Sequence, residues 1–164
     1  MIKFTYLKQP PRKYTFEMPR LKQWLEERCE GKVLNLFAGR VRLDVLINEL
    51  RVDISNEFSP DYVMDAFEYI NFAINHKVKF DTIILDPPYS LRKSMEKYKG
   101  KVVSKFNKIL DLLPKVLNYR GKVISFGYRS IVMGKSRGFK QEEICLINHS
   151  GAFHDTIVTI ERKL

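Results

Sequence analysis

The residues with the clearest chemical potential stand in a row in the middle of the sequence: Asp86, Pro87, Pro88 and Tyr89. The two prolines fix φ at consecutive positions and remove two N–H donors, so the segment is stiff. An ionised aspartate can only accept hydrogen bonds. The Asp86 carboxylate and the Pro87 carbonyl therefore form a rigid pair of acceptors beside an aromatic ring, which suits a planar group that bears an NH2.

These acceptors could activate an amine on an aromatic base. The lone pair of such an amine is delocalised into the ring, which makes the nitrogen a poor nucleophile. Hydrogen bonds to Asp86 and Pro87 would draw the nitrogen toward a tetrahedral shape, while Tyr89 stacks on the ring. Orientation of this kind can lower a barrier by up to about 7–11 kcal/mol. The alternative is a strand-ending turn without chemistry, because Asp-Pro is common in turns.

The elements that must position this motif alternate between strands and helices. The pattern predicts strands at 32–37, 50–55, 61–66, 80–89 and 121–128, and helices at 20–29, 43–48, 66–77 and 106–117. Two further strands, 142–149 and 154–162, adjoin each other across a short turn and are typical of an antiparallel pair. The alternation predicts an α/β fold, with a mostly parallel sheet and helices on both faces.

Polar residues mark the carboxyl ends of these predicted strands, where open parallel sheets bind their ligands. They are Asn35 to Gly39, Asp53, Asp65 and Asp86 to Tyr89. The pattern predicts a binding site at this edge of the sheet. Read singly, Asp53 and Asp65 could instead cap loops.

Taken together, these motifs resemble a class I S-adenosylmethionine-dependent methyltransferase that modifies amino groups. The resemblance rests on VLNLFAG, VDIS, MDAFEYI and DPPY in this order, and it covers nearly the whole chain. The order excludes the circular permutant that begins with DPPY. The resemblance implies a Rossmann-like, mostly parallel seven-stranded sheet with a C-terminal antiparallel strand pair, and S-adenosylmethionine as the cofactor.

The resemblance also implies roles for single residues. The cofactor would be bound by Asn35, Phe37, Ala38, Gly39, Arg40, Asp53, Asp65 and Ala66. The loop from Asn35 to Gly39 would pass the methionine part, Asp53 would hold the ribose hydroxyls, and the pair at 65–66 would recognise the adenine edge. Asp86, Pro87, Pro88 and Tyr89 would be the catalytic residues.

The sequence departs from this family in the cofactor loop. An acidic residue is usual where this chain has Asn35, and a second glycine is usual where it has Val41. Arg40 and Arg42 flank Val41, so an arginine could take the carboxylate of the cofactor. No metal is implied, and the order of Cys145, His149, His154 and Asp155 fits no standard zinc finger.

The charge of the chain points to a polyanion. Lys and Arg number 29 and Asp and Glu 19, which gives a net charge of +10, and nucleic acid is the commonest partner of such a protein. Predicted nucleic-acid contacts are Arg92, Lys93, Lys97, Lys99, Lys101, Tyr128, Arg129, Lys135 and Arg137. The basic groups among them would position phosphates rather than specify sequence. A solvated surface is the alternative for the charge run.

The length of 164 residues predicts one methyltransferase domain, preceded by an extended basic arm over 1–20. A separate target-recognition domain does not fit, so specificity would come from loops, a second copy or a partner. Cys29 and Cys145 form no C-x-x-C pair, which favours a reducing compartment. Without an apolar run that resembles a signal sequence or a membrane span, we expect a cytoplasmic protein that binds no membrane.

The favoured function is N-methylation of a nucleobase amine, adenine N6 in DNA above all. RNA, including guanine N2, is the near alternative. Enzymes that methylate a glutamine in a protein use a related motif that usually begins with Asn, so Asp86 argues against a glutamine substrate. An alternative of another class is a nucleic-acid-binding subunit without catalysis, which the altered cofactor loop suggests.

Overall fold

The chain is described here from a computed structural model that covers residues 1–88, 101–151 and 154–164, without the side chains of 101–104. Its strands are β1 (Lys3–Lys8), β2 (Lys32–Asn35), β3 (Asn48–Asp53), β4 (Tyr62–Val63), β5 (Phe80–Leu85), β6 (Leu117–Gly127), β7 (Phe139–Asn148) and β8 (Thr156–Lys163). Its α-helices are α1 (Pro19–Glu26), α2 (Ala66–Asn75) and α3 (Lys101–Val116).

The strands form one sheet in the order β1-β7-β8-β6-β5-β2-β3-β4. All neighbours pair in parallel except β8, which is antiparallel to both β6 and β7. The predicted α/β class, the mostly parallel sheet and the C-terminal antiparallel pair are therefore confirmed. Since only β8 is reversed, the other strands all end at the same edge of the sheet, the carboxyl edge, and begin at the opposite amino edge.

The sheet has eight strands and not the predicted seven. The additional strand is β1, which lies within the predicted basic arm and pairs with β7 from Lys3 opposite Glu143 to Lys8 opposite Asn148. Its residues alternate in burial: Thr5 and Leu7 are partly buried, whereas Phe4 and Tyr6 face solvent. The prolines and charges of the arm outweighed this two-residue period in the prediction.

A second correction concerns 43–48, where a helix was predicted. Asp44 to Ile47 form a turn, in which the Asp44 side chain accepts a hydrogen bond from the Leu46 N–H at 2.9 Å, and Asn48 already begins β3. Leu43 is buried, but Val45 and Leu46 are 94% and 92% exposed. Leu43 and Ile47 pack against the core, but Val45 and Leu46 do not join them. The strand predicted at 61–66 is also only Tyr62–Val63.

Two apolar layers enclose the sheet. On one face, α2 and α3 cover residues such as Ile83 and Leu85. On the other, α1 and the segment before it cover Ile84. Adjacent β5 residues point to opposite layers, as the pleat of a strand requires. Burying each such side chain contributes about 1.5–3 kcal/mol, so the layers hold the strand ends in place.

A partly buried ion pair fastens β1 to the rest of the sheet. Arg28, just after α1, donates from two nitrogens to the two carboxylate oxygens of Glu143 on β7, each at 2.9 Å. Thr5 on β1 donates to the same carboxylate at 2.6 Å. Burial raises the pKa of Glu143, but the hydrogen bonds from Arg28 and Thr5 outweigh it, so the pKa lies below its ordinary value. One carboxylate thus connects α1, β1 and β7.

Candidate active site

A cavity of about 1080 Å³ opens at the carboxyl edge of the sheet. It is lined by the residues that follow β2, β3, β5 and β6, by both ends of the β7–β8 connection, and by the segment before α1. The predicted site residues in its lining are Phe37, Ala38, Gly39, Arg40, Asp53, Asp65, Ala66, Asp86, Pro87, Pro88 and Tyr128. The structure therefore brings most of the described candidates into one cavity.

Asp53, at the end of β3, fixes the loop that follows β2. Its carboxylate accepts hydrogen bonds from the N–H groups of Gly39 and Ser55, both at 2.9 Å. Gly39 has φ +59°, a left-handed conformation that favours glycine, and its position faces open space. Asp53 caps its loops, as the alternative interpretation expected, and it also lines the cavity.

Beneath this loop lies a fully buried guanidinium that sequence reasoning missed. Arg51 donates to the carbonyls of Gly39 and Phe58 and stands 3.7 Å from the Glu49 carboxylate. Burial lowers the pKa of Arg51, which Glu49 opposes, and an arginine keeps its charge regardless. Arg51 therefore connects the loops after β2 and β3 from below. The sequence signal was an arginine between two apolar residues, Leu50 and Val52, of a predicted strand.

Asn35 is the predicted cofactor residue that the structure places elsewhere. It is fully buried and outside the lining of the cavity, and its side-chain amide donates to Glu49 at 2.9 Å. The same carboxylate accepts from the Leu43 N–H at 3.2 Å. Asn35 and Glu49 thus support the turn that stands in place of the predicted helix.

Asp65 has two tasks at the start of α2. One carboxylate oxygen accepts hydrogen bonds from the N–H groups of Phe67 and Glu68, at 2.9 and 3.4 Å, which caps the helix. The other oxygen accepts from Lys105 of α3 at 2.9 Å. Asp65 also lines the cavity, so one carboxylate connects the cavity wall to two helices.

Asp86, Pro87 and Pro88 leave the end of β5 directly into the cavity wall. The preceding residue, Leu85, is fully buried, and Pro87 is buried as well, whereas Asp86 is partly exposed. The stiff proline pair thus continues a strand that the core holds on both faces. Tyr89 lies outside the described residues.

The opposite wall contains residues that the sequence analysis did not assign to the site. His149 is buried, with Nδ1 3.1 Å from the Gln9 carbonyl and Nε2 2.9 Å from the Thr156 hydroxyl. Because a carbonyl can only accept, Nδ1 donates. His154 meets the Tyr128 ring edge-on, at 6.4 Å between centroids. His149 follows β7, and His154 precedes β8, which runs the opposite way. Open sheets bind ligands where their parallel strands end, so a predicted direction for β7 would have placed both residues near the site.

The segment between β1 and α1 forms a further wall. Tyr14 packs edge-on against Phe58 in the loop after β3, with 5.6 Å between ring centroids. The Arg40 guanidinium lies 5.8 Å from the Tyr14 ring centre. The exposed side chains of Arg12 and Lys13 also line the cavity. The predicted arm is thus held at two places: β1 pairs with β7, and Tyr14 contacts Phe58 and Arg40 beside the cavity.

Several predicted nucleic-acid contacts lie away from the cavity or beyond description. Lys135 and Arg137 precede β7 at the amino edge, and Arg137 pairs with Asp111 at 2.8 Å. Arg129 is exposed but is not part of the lining. Arg92, Lys93, Lys97 and Lys99 lie outside the described residues, as does the side chain of Lys101.

The described residues also bear on other chemistries. No three of their His, Cys, Asp or Glu side chains come together as metal ligands. Burial raises the pKa of both Cys29 and Cys145 to about 12, so neither described thiol is an ionised nucleophile at neutral pH. None of the helices in the described part has both the length and the apolar character that a bilayer-spanning helix requires.

No protein-family model matches the chain, and no curated protein sequence matches it either. Solved structures do. The chain is similar to TrmN from Thermus thermophilus, with a TM-score of 0.61 and 17% identity over 90% of this chain and 49% of TrmN. It is similar to the N-methyltransferase NodS from Bradyrhizobium japonicum WM9, with a TM-score of 0.60 and 13% identity over 92% and 98% of the two chains.

A third similar structure is SMU.776 in complex with SAH, with a TM-score of 0.58 and 16% identity over 90% of this chain and 50% of the other. The chain thus spans about half the length of TrmN and of SMU.776. At these identities the likeness establishes the fold, which is the Rossmann-like fold of these structures.

Proposed function

We propose that this protein is an S-adenosylmethionine-dependent N-methyltransferase that acts on an exocyclic amino group of a nucleobase, with adenine N6 in DNA as the favoured target. One observation carries the proposal. The acceptors of the Asp86-Pro87-Pro88 segment line the same cavity as Gly39, Asp53 and Asp65. The residues proposed to hold the amine and those proposed to hold the cofactor thus line one cavity.

The residues of the cavity fit the proposed cofactor. Its volume of about 1080 Å³ lies just above the usual range for ligand pockets, about 300–1,000 Å³, which leaves room for a second group beside a cofactor. The carboxylates of Asp53 and Asp65 can accept hydrogen bonds from ribose hydroxyls and from an adenine amine. Gly39, with open space where a side chain would stand, permits close approach to a ligand. SMU.776, of similar fold, was crystallised with SAH.

S-adenosylmethionine, when bound, supplies a methyl group on a sulfonium that is already a strong electrophile. The task of this chain is then to hold and orient the amine. Asp86 and the Pro87 carbonyl accept hydrogen bonds from its two N–H groups. These bonds draw the nitrogen toward a tetrahedral shape, so its lone pair is less delocalised into the ring of the base. The rigid proline pair keeps these acceptors in place without competing donors.

The choice of substrate rests on the sequence and on charge. NodS, of similar fold, is an N-methyltransferase by name. The aspartate at the head of the motif favours a base amine over a protein glutamine, and the net charge of +10 favours a nucleic acid. Base and sequence selection would come from the loops around the cavity, from a second copy or from a specificity partner.

The test is methyl transfer from tritiated cofactor to duplex DNA, denatured DNA and total RNA, followed by identification of the modified nucleoside. We expect labelled N6-methyl-2′-deoxyadenosine from DNA. Label in RNA alone would move the target to RNA. SAH binding without transfer to any of the three substrates would contradict the proposed activity.

A variant locates the reaction. Asp86→Ala should lower transfer at least about 100-fold, the usual loss when one group that stabilises the reacting centre is removed. SAH affinity should change little. Asp111→Ala, which removes an exposed carboxylate at the far end of α3, is the matched control and should retain full transfer. Loss of both transfer and SAH binding in Asp86→Ala would show that Asp86 supports the cofactor side instead.

A further inference from the structure

The amino edge of the sheet, opposite the cavity, bears an excess of exposed cations. Six of them are defined here as the basic edge: Lys77, Lys79, Lys115, Arg120, Lys135 and Lys140. They lie at the end of α2, before β5, at the end of α3, at the start of β6, and around the start of β7. None of them forms an ion pair with a described carboxylate.

The topology of the sheet places these cations side by side. Strands β5, β6, β8 and β7 are consecutive neighbours, and β8 ends where the other three begin. Lys140 on β7 lies opposite Arg162 on β8, and Arg162 in turn donates to the carbonyl of Arg120 on β6 at 2.7 Å. With about 4.8 Å between neighbouring strands, the four strand ends span roughly 15 Å. The cations therefore lie along one edge of the sheet.

The described carboxylates of this edge are already engaged. Glu30 accepts from Lys122 at 2.6 Å and pairs with Arg162 at 3.3 Å. Glu142 accepts from Arg162 at 2.6 Å, and Asp111 pairs with Arg137. Asp81 accepts from a backbone N–H and from Asn118. No described side-chain carboxylate forms an ion pair with a cation of the basic edge, and the six cations outnumber Asp81, which is bonded to uncharged groups only.

Helix geometry explains only part of this accumulation. The ammonium groups of Lys79 and Lys163 donate to carbonyls at the end of α3, where a helix dipole favours cations. Burial and the nearby Lys79 lower the pKa of Lys163, so positive charges already crowd each other here. The fold tolerates this repulsion and adds Lys115 and Arg120, which point into solvent.

An exposed aromatic ring stands within this surface. Tyr119 is 80% exposed, and the next residue, Arg120, is exposed as well and has φ +57°. Nucleic-acid surfaces that bind without sequence preference combine cations that follow the backbone with aromatic rings on which bases stack. A solubilising charge patch requires no such ring.

We propose that the basic edge, together with Tyr119, is a second nucleic-acid-binding surface, separate from the cavity and directed at the phosphate backbone. It holds a stretch of nucleic acid on the side of the protein away from the reacting base. This surface goes beyond the proposed methyl transfer, because its binding requires neither cofactor nor Asp86.

The test is fluorescence anisotropy with a labelled 30-nucleotide single strand and a 30-base-pair duplex, without cofactor, over a series of salt concentrations. The triple variant Lys115→Gln, Arg120→Asn and Lys140→Gln removes three charges of the basic edge. Asparagine replaces Arg120 because φ is positive there and asparagine tolerates that conformation. We expect at least a tenfold loss of affinity at low salt, and a reduction of about 2 to 3 in the slope of log K against log salt.

The matched control removes three exposed charges elsewhere: Lys8→Gln, Arg20→Gln and Lys108→Gln. It has the same net charge as the triple variant and should lose less than threefold in affinity. Equal losses in the two variants would overturn the proposal, because net charge alone would then account for binding. So would a triple variant that lost affinity for phosphatidylserine vesicles but not for nucleic acid.

A second pair of variants tests the ring. Tyr119→Ala should weaken single-strand binding at least about fivefold and duplex binding less, because only unpaired bases can stack. Tyr6→Ala, which removes an exposed tyrosine from β1, is the control and should bind like the parent. Equal single-strand affinity in the two variants would remove stacking from the proposal. If methyl transfer to nucleic acid were absent, these binding results would still stand.

Discussion

The two edges of the sheet use their charged side chains in opposite ways. At the carboxyl edge, Asp53 and Asp65 accept hydrogen bonds from backbone N–H groups, and so hold loops in shape around a cavity. At the amino edge, Asp81 also accepts from a backbone N–H, but Glu30, Glu142 and Asp111 pair with lysine and arginine side chains. The first arrangement builds a concave site, and the second leaves a surface of surplus cations.

The difference separates two physical tasks. A site that orients a small group needs fixed acceptors, and a carboxylate bonded to two backbone N–H groups is fixed by the fold itself. Attraction of a polyanion needs only charge at short range, which flexible side chains supply. If this division is real, changes at the carboxyl edge should alter geometry and stability together, whereas changes at the exposed amino edge should alter binding alone.

The largest effect should follow from the guanidinium under the carboxyl edge. Arg51→Met removes hydrogen bonds to the carbonyls of Gly39 and Phe58 and leaves Glu49 without its nearest cation. Loss of one partner of a buried pair typically costs 3–5 kcal/mol, so we expect the free energy of unfolding to fall by about 3 kcal/mol in urea denaturation. Arg51→Lys should be nearly as damaging, because an ammonium lacks the fork that reaches both loops.

Arg42→Ala is the control for that experiment. Arg42 is exposed and, among the described residues, makes one hydrogen bond, to the carbonyl of Ser59 at 2.9 Å. Its removal should change the free energy of unfolding by less than about 0.5 kcal/mol. If Arg51→Met unfolds like this control, the cavity loops do not depend on buried charge, and the contrast between the edges loses its foundation.

The next effect concerns the buried carboxylate that fastens β1. The pKa of Glu143 is below its ordinary value, so its contribution to stability is present above the pKa of the unfolded chain and is lost as pH falls through the folded value. Glu143→Gln should lower the free energy of unfolding at pH 7 by about 2 kcal/mol, the usual contribution of charge-assisted hydrogen bonds. The gap to the parent should narrow on acidification below about pH 4.5.

Urea denaturation at a series of pH values measures this gap, with Glu57→Gln as the control. Glu57 is exposed, and its side chain bonds to no other described residue, so its replacement should leave the pH profile unchanged. A gap between parent and Glu143→Gln that stays constant down to pH 3 would exclude the linkage.

The sequence predicted the core of the fold because apolar strands end in recognisable signals. Ile83, Ile84 and Leu85 lead into Asp86, and Asp65 precedes an amphipathic helix. The prediction failed where local pattern and tertiary contact disagree. β1 needed β7 as a partner before its two-residue period could be recognised. Val45 and Leu46 fit a helical pattern in the sequence, but in this segment only Leu43 and Ile47 pack against the core.

The site residues that follow the ends of strands were predictable from the sequence. The buried residues that hold the cavity loops in place from inside the sheet were not. Asp53, Asp65 and Asp86 all line the cavity, as the strand-end rule expected. Arg51 and the buried Asn35 serve the same loop from inside the sheet, and their partners, Glu49 among them, follow from packing rather than spacing. Lys135 and Arg137 were expected near the site because of their charge, but charge does not indicate to which edge a loop returns.

The smallest expected effect on the free energy of unfolding distinguishes the two roles of Asp65, which caps α2 and pairs with Lys105. Asp65→Ala should lower the free energy of unfolding by about 1 kcal/mol, because it removes the cap of α2. Lys105→Ala removes only an ion pair whose lysine is half exposed, and it should cost less than about 0.5 kcal/mol. Asp65→Asn, which keeps the cap and loses the charge, should resemble Lys105→Ala in thermal and urea denaturation. If Lys105→Ala instead matched Asp65→Ala, an ion pair and not backbone capping would fasten this corner, and the carboxyl edge would be held together in the same way as the amino edge.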